Sequence, residues 1–263
     1  MPPAARISLY TLDSPAIRER ETTVARLSGE LTGRLPPPTR AALSRCLEGV
    51  NSYYSNLIEG QSARPVEAER ALAHHRKQQA TGPAYSRSAD GLWSLSRGLA
   101  KRRTTYYEQL AQADAERQGD FDGRGALSLK AANAFADFML DTCEDQIRFM
   151  TARLQIDHVE DRMARFCAER KLVLGRDERA APLLVEAMFM GRLPRGEAGR
   201  LLGLGERAAR KVVAECVDDG LLTATSSRAD LTPAYPVYAA AYLFPHLFEI
   251  DDPQAAMRET LLP

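Results

Sequence analysis

A chain of 263 residues has room for about two domains at the usual ~100–200 residues each, and a hydrophobic content of 44% suffices to bury real cores. Lys and Arg together number 35, as do Asp and Glu, so no global field recruits nucleic acid or membrane, and any basic surface must be local. Cys46, Cys143, Cys167 and Cys216 stand far apart with no CxxC pair, the pattern of reduced core thiols in a cytosolic protein rather than of a disulfide framework. Residues 1–15 lack an apolar stretch of signal type, and no run approaches the ~18–20 apolar residues of a membrane span. The expectation is a soluble, cytoplasmic protein with no membrane partner.

In chain order, Ser14-Pro15 opens a helix with Ile17, Val24, Leu27 and Leu31 at helical spacing, an N-cap serine and a proline at the first helical position. The prolines after Leu35 stop it. From Thr39 a second helix carries Leu43, Leu47 and Val50 on one face and runs into the stretch from Asn51 to Leu72. Residues 77–91 have few periodic apolar positions and read as an exposed linker. Helix resumes over 92–114, with Leu99, Arg103, Tyr106, Tyr107 and Leu110 three and four apart. A glycine-bearing turn over 118–128 then places Ser128 to cap a long helix marked by Phe135, Phe138, Thr142, Ile147, Met150 and Leu154, continuous or broken near Asp157-His158. No period-two strand is predicted before residue 220.

The last ninety or so residues are patterned differently. Helices are predicted over 181–191, 195–203 and 206–220, the last with Gly220 as its C-cap, followed by a hairpin whose polar tip is Ser226-Ser227-Arg228. Three helices and a short hairpin make a winged helix-turn-helix. Its third helix offers Arg207, Arg210 and Lys211, and the hairpin Arg228, as candidate DNA contacts. Glu206, Glu215, Asp218 and Asp219 blunt that field, and such modules also serve as packing platforms. The expected organisation is an N-terminal helical segment over 1–76, an irregular junction over 77–91, further helical domain over 92–175 and the winged helix over 176–250.

The search for chemistry is mostly negative. Asp114 to Gly119 mimics the start of a calcium loop, yet the twelfth position is Gly125 where a bidentate Glu is required. His74 and His75 are adjacent, so they cannot face one metal as an i, i+4 pair does. No P-loop, GxSxG or Rossmann glycine fingerprint occurs. No catalytic residue and no metal ligand is assigned.

One stretch carries a family resemblance. Ser55-Asn-Leu-Ile-Glu59-Gly60 matches [S/T]-x-x-x-E-[G/N], and with its flanks it resembles the inhibitory helix of Fic proteins, which transfer AMP from ATP to hydroxyls of target proteins. The segment from Gly91 to Ser128, with Asp145 to Met150 behind it, is similar to the part of bacterial Fic proteins that follows the active site, and the C-terminal module is similar to one that many of them carry. The resemblance implies an all-α Fic-like domain, protein adenylyltransferase activity, and ATP with Mg²⁺ as cofactors.

The centre of that family is missing. Its catalysis resides in H-P-F-x-[D/E]-G-N-G-R-x-x-R, whose His takes the proton from the attacking hydroxyl, whose acid holds Mg²⁺ and whose glycine-rich turn cradles the phosphates. No such motif occurs here: Ala73-His74-His75-Arg76 resembles its lead-in, but Lys77-Gln-Gln-Ala follows. The resemblance therefore implies an internal deletion joined near Leu72-Ala73, a helical core left incomplete, lost AMP transfer and no functional cofactor. In the family the inhibitory Glu pairs with the final Arg of the motif and blocks seating of the γ-phosphate. Glu59 is then expected to be solvated or to meet a substitute such as Arg76 or Arg97. The alternative is a regulatory module that binds DNA through the winged helix, or a protein partner, an intact Fic protein or a second copy, through the inhibitory helix. Nucleotide binding without transfer ranks last.

Overall fold

A computed structural model describes residues 14–61, 91–247 and 253–261, and these are mostly helical. Arg76, the two adjacent histidines and most of the predicted junction lie outside the described residues. Helix α1 spans Pro15–Gly33 and buries Ile17, Ser28 and Leu31. Helix α2 spans Pro37–Ile58 and so begins inside the proline run, two residues before Thr39. A proline in a first helical turn gives up only an N–H that would be unpaired anyway, so the same run ends one helix and starts the next.

The helix expected over 92–114 is two helices, α3 at Leu95–Lys101 and α4 at Arg103–Ala113, parted at Arg102 with φ −116° and ψ 32°. Their environments differ. Helix α3 buries Arg97, Gly98 and Leu99, whereas Ala113 is the buried residue of α4. Gly98 runs so close to the next long helix that an added Cβ would stand 2.5 Å from Cγ2 of Thr142. A two-residue antiparallel pair, β1 at Gly123–Arg124 and β2 at Leu127–Ser128, corrects the expectation of no strand before residue 220. Strands that short show no alternation to read.

Helix α5 spans Leu129–Arg153, and Ser128 Oγ accepts the Ala131 N–H at 3.0 Å as its cap. Helix α6, Ile156–Leu174, follows a break at Leu154-Gln155, slightly earlier than expected. Helices α7 (Ala181–Met190), α8 (Ala198–Leu202) and α9 (Glu206–Asp218) lead into β3 (Leu222–Thr223), paired antiparallel with β4 (Thr232–Pro233). The sequence reading missed α10, Val237–Leu243, because it is buried nearly all round, at Val237, Tyr238, Ala239, Ala240 and Leu243, and so shows no amphipathic period. Helix α11, Pro253–Leu261, lies past the expected domain end. No helix among the described residues is long and apolar enough to cross a membrane.

A contiguous apolar core runs from α2 through α5 and α6 into α7, α9 and α10, with Val50, Tyr54, Ile147, Phe166, Met188, Cys216, Tyr238 and Phe244 all at or below 1% exposure. It crosses the division placed between residues 175 and 176. Thr39 Oγ1 donates to the Met188 carbonyl at 2.7 Å. The chain leaving α10 is clasped through three successive carbonyls. Arg153 Nε donates to Pro245 (3.2 Å), Arg97 Nε and Nη2 to His246 (3.0 and 2.7 Å), and Tyr54 Oη to Leu247 (3.1 Å). His246 itself has φ +66°, a conformation that costs energy in a non-glycine residue and persists where its surroundings fix it.

A second polar contact lies under α9. Asp219 takes hydrogen bonds from Arg170 of α6 and from Arg176 Nη2 at 2.7 Å, and its own carbonyl accepts Tyr238 Oη at 2.6 Å. The side chains of Arg170 and Asp219 are 0% and 1% exposed. Removing one partner of such a pair leaves an uncompensated charge in the core. Asp219→Ala is expected to lower the unfolding free energy by about 3–5 kcal/mol, read as a lower urea midpoint with an unchanged slope.

Candidate functional site

Two surfaces carry the residues singled out in the sequence: the end of α2 and the open face of α9. Helix α2 ends at Ile58 and Glu59 is its C-cap, still in right-handed helical geometry, with its N–H on the Ser55 carbonyl at 3.1 Å. Gly60 follows at φ +82°, the left-handed geometry that only glycine adopts freely, and this lets Gln61 N donate back to Asn56 at 2.8 Å. The terminus is pinned from α4, whose Tyr107 Oη donates to the Ile58 carbonyl at 2.9 Å. The Arg103 guanidinium stands beside Gly60, 3.4 Å from where a Cβ would be. Ser55 is half-buried, and its hydroxyl shares a 3.2 Å hydrogen bond with that of Ser96.

Glu59 is exposed, and no ion pair joins it to a cation among the described residues. Arg97 is not its substitute partner. That side chain is 4% exposed, spends three N–H donors on the His246 carbonyl and on Gln146 Oε1 (2.8 Å), and lies 3.7 Å from the Phe149 ring centre. Burial pushes its pKa down. Glu59 also sits at the negative end of α2's dipole with no basic residue in the last turn, a placement that disfavours a carboxylate by about 0.3–1 kcal/mol.

On α9 the exposed residues are Glu206, Arg207, Ala208, Arg210, Lys211, Ala214 and Asp218. Arg210 pairs with Glu206 one turn earlier, and Lys211 Nζ stands 3.8 Å from Glu215 Oε1. The four acids expected to blunt this face differ in placement, with Glu206 and Glu215 each beside one of its cations. Asp219 is buried beneath it, and Glu215, 9% exposed, accepts the Asp177 N–H at 3.0 Å. Arg228 is exposed at the hairpin tip, which Ser226 Oγ turns by accepting the Ala229 N–H at 3.1 Å. The base of that hairpin is tied to the segment before α8 by paired 2.8 Å backbone bonds between Leu193 and Leu231.

Other chemistry-bearing groups serve the fold. Burial pushes the Cys167 thiol up to about 11 and that of Cys216 to about 12, which suppresses the nucleophilic thiolate at neutral pH. An open depression of about 380 Å³ beside α9 is lined by charges that already pair with one another, Lys171 with Glu178 and Arg179 with Asp177, both at 2.6 Å. No family model, curated protein or solved structure matches the chain.

Asp122 is a polar hub that the sequence reading passed over. Its carboxylate accepts Lys130 N at 2.8 Å, Ser128 Oγ at 2.7 Å and Gln118 N at 3.1 Å, locking the turn before α5. The Lys130 backbone bond, followed by the Ser128 hydroxyl, holds its carboxyl down from 3.8 to about 2. A depressed folded value contributes stability above the ordinary carboxylate range and loses it as pH falls through the folded value. Asp122→Ala is therefore expected to be less stable than the parent at neutral pH, with the gap between their urea midpoints narrowing as pH drops from 3.8 toward about 2.

Proposed function

We propose that this chain is a Fic-type protein that has lost AMP transfer and works by binding, presenting Glu59 from the end of α2 to a partner. The observation that carries this reading is the exposed carboxylate at the wrong end of a helix dipole, fixed in place by Gly60 and Tyr107, while the buried Arg97 is committed elsewhere. The end of α2's dipole disfavours a Glu there, so a recognition role accounts for it better than a folding role. The partner of matching chemistry is a protein whose own arginine can pair with the carboxylate, such as an intact transferase of the same family. In labelling reactions with radioactive ATP and Mg²⁺, the purified chain is expected to label neither itself nor added lysate proteins; robust labelling would sink the proposal. Added to an active Fic transferase, the chain is expected to slow its labelling. Glu59→Gln should abolish that effect while shifting stability by no more than about 0.5 kcal/mol, as exposed positions do.

A second reading has its own support. Helices α7, α8 and α9 with the β3–β4 hairpin fit a winged helix-turn-helix, and the N-terminal half of α9 exposes three cations, Arg207, Arg210 and Lys211, against one exposed acid, Glu206. We propose duplex DNA as the ligand of that face, because phosphate contacts need local rather than net positive charge. Gel shifts across a salt series should show log affinity falling with log salt by about 0.9 per phosphate contacted. A flat response counts against DNA.

A further inference from the structure

The three cations of α9 are not equivalent. At about 100° per residue, Arg207 and Ala214 fall on one line of the helix, opposite the buried stripe of Ala209, Val212, Val213 and Cys216. Arg210 lies to one side of that line and Lys211 to the other. Arg210 is tied to Glu206 and Lys211 is near Glu215, whereas Arg207 has no carboxylate partner among the described residues. The one uncommitted guanidinium is thus also the one aimed straight outward, one residue into the helix from Glu206. Along that line about two turns further on, Ala214 is short enough to let the backbone approach a surface closely, and the exposed Asp218 follows only at the far end of the helix.

Resting on the DNA reading above, we propose that Arg207 reads a guanine from the major groove while Arg210 and Lys211 hold phosphates on either side. A free guanidinium presents two parallel donors that match the O6 and N7 acceptors of guanine, and residues near the start of a recognition helix are the ones that reach base edges. Arg210 has one edge occupied by Glu206, which leaves the other for a single phosphate oxygen. Lys211 is a point charge and carries no base information.

The test is selection by the full-length chain from a library of short DNA duplexes randomised at their centre, then titration of the selected duplex and of its counterpart with the favoured guanine replaced. The parent is expected to discriminate by about tenfold. Arg207→Lys keeps the charge and should erase most of that discrimination with the salt slope unchanged. Lys211→Ala should weaken both duplexes alike and lower the slope by about 1. If Arg207→Lys retains the discrimination, or if the parent binds DNA with no guanine preference, this assignment is overturned while the DNA reading stands. Absence of any duplex binding overturns both, and equal affinity for an RNA duplex of the same sequence overturns the major-groove assignment.

Discussion

The buried Arg97 is the side chain that ties α3 both to α5 and to the segment after α10. Its guanidinium is buried between α2, α5 and the segment after α10, and burial alone makes the charge unfavourable there. What offsets that cost is two N–H groups on the His246 carbonyl, one on Gln146, and the plane close over Phe149. Arg153 reaches the same ring at 4.4 Å and takes the preceding carbonyl. Three consecutive carbonyls of an irregular segment are thereby satisfied without a sheet or a helix, which is how a loop can enter a core. Because Tyr54 closes the clasp one residue before Ser55, the same contact sets the position of α2's terminal turn against the C-terminal helices.

The Arg170–Asp219–Arg176 cluster plays the corresponding role for α9. Asp219 closes that helix, and its carboxylate points inward to two arginines while its carbonyl holds Tyr238 of α10. Satisfying these groups below the helix has a consequence above it. Of the acids at its C-terminal end, Asp219 is turned into the interior and Asp218 stays exposed, while the cations Arg207, Arg210 and Lys211 near its start are all exposed. Local charge is therefore a property of the folded arrangement, which a balanced composition does not reveal.

The sequence made the helices legible where caps and periodicity agree. Pro15, Ser128 and Gly220 mark ends that the fold uses, and the lengths of α7 to α9 follow from their glycine stops. It was silent where burial replaces amphipathicity, as in α10, and where the helix is interrupted within a continuous pattern, as at Arg102. At the sites, Ser55, Glu59 and Gly60 could be picked out by spacing, and so could the α9 cations. The fate of the charged groups around them could not, because nothing in a run such as Asp218-Asp219 tells which carboxylate turns inward. Arg97, named in the sequence reading as one substitute partner for Glu59, is a core residue.

Set side by side, the carboxylates divide by what the fold asks of them. Asp219 neutralises buried arginines, Asp122 gathers the donors of a turn, and Glu215 caps the Asp177 amide. Each of these three sits where positive charge or unpaired N–H groups make a carboxylate favourable. Glu59, like Asp219 at the end of α9, sits where a helix end is already negative and is followed by a glycine that fixes the turn, but unlike Asp219 it is open to water and ion-pairs with no arginine among the described residues. No cation among the described residues pairs with Glu59, while Gly60 and Tyr107 hold the turn that carries it, and the binding role proposed above rests on that arrangement. In that proposal the partner brings the positive charge with it, and the strength of the contact depends on how completely water is excluded from the end of α2 when the two surfaces meet.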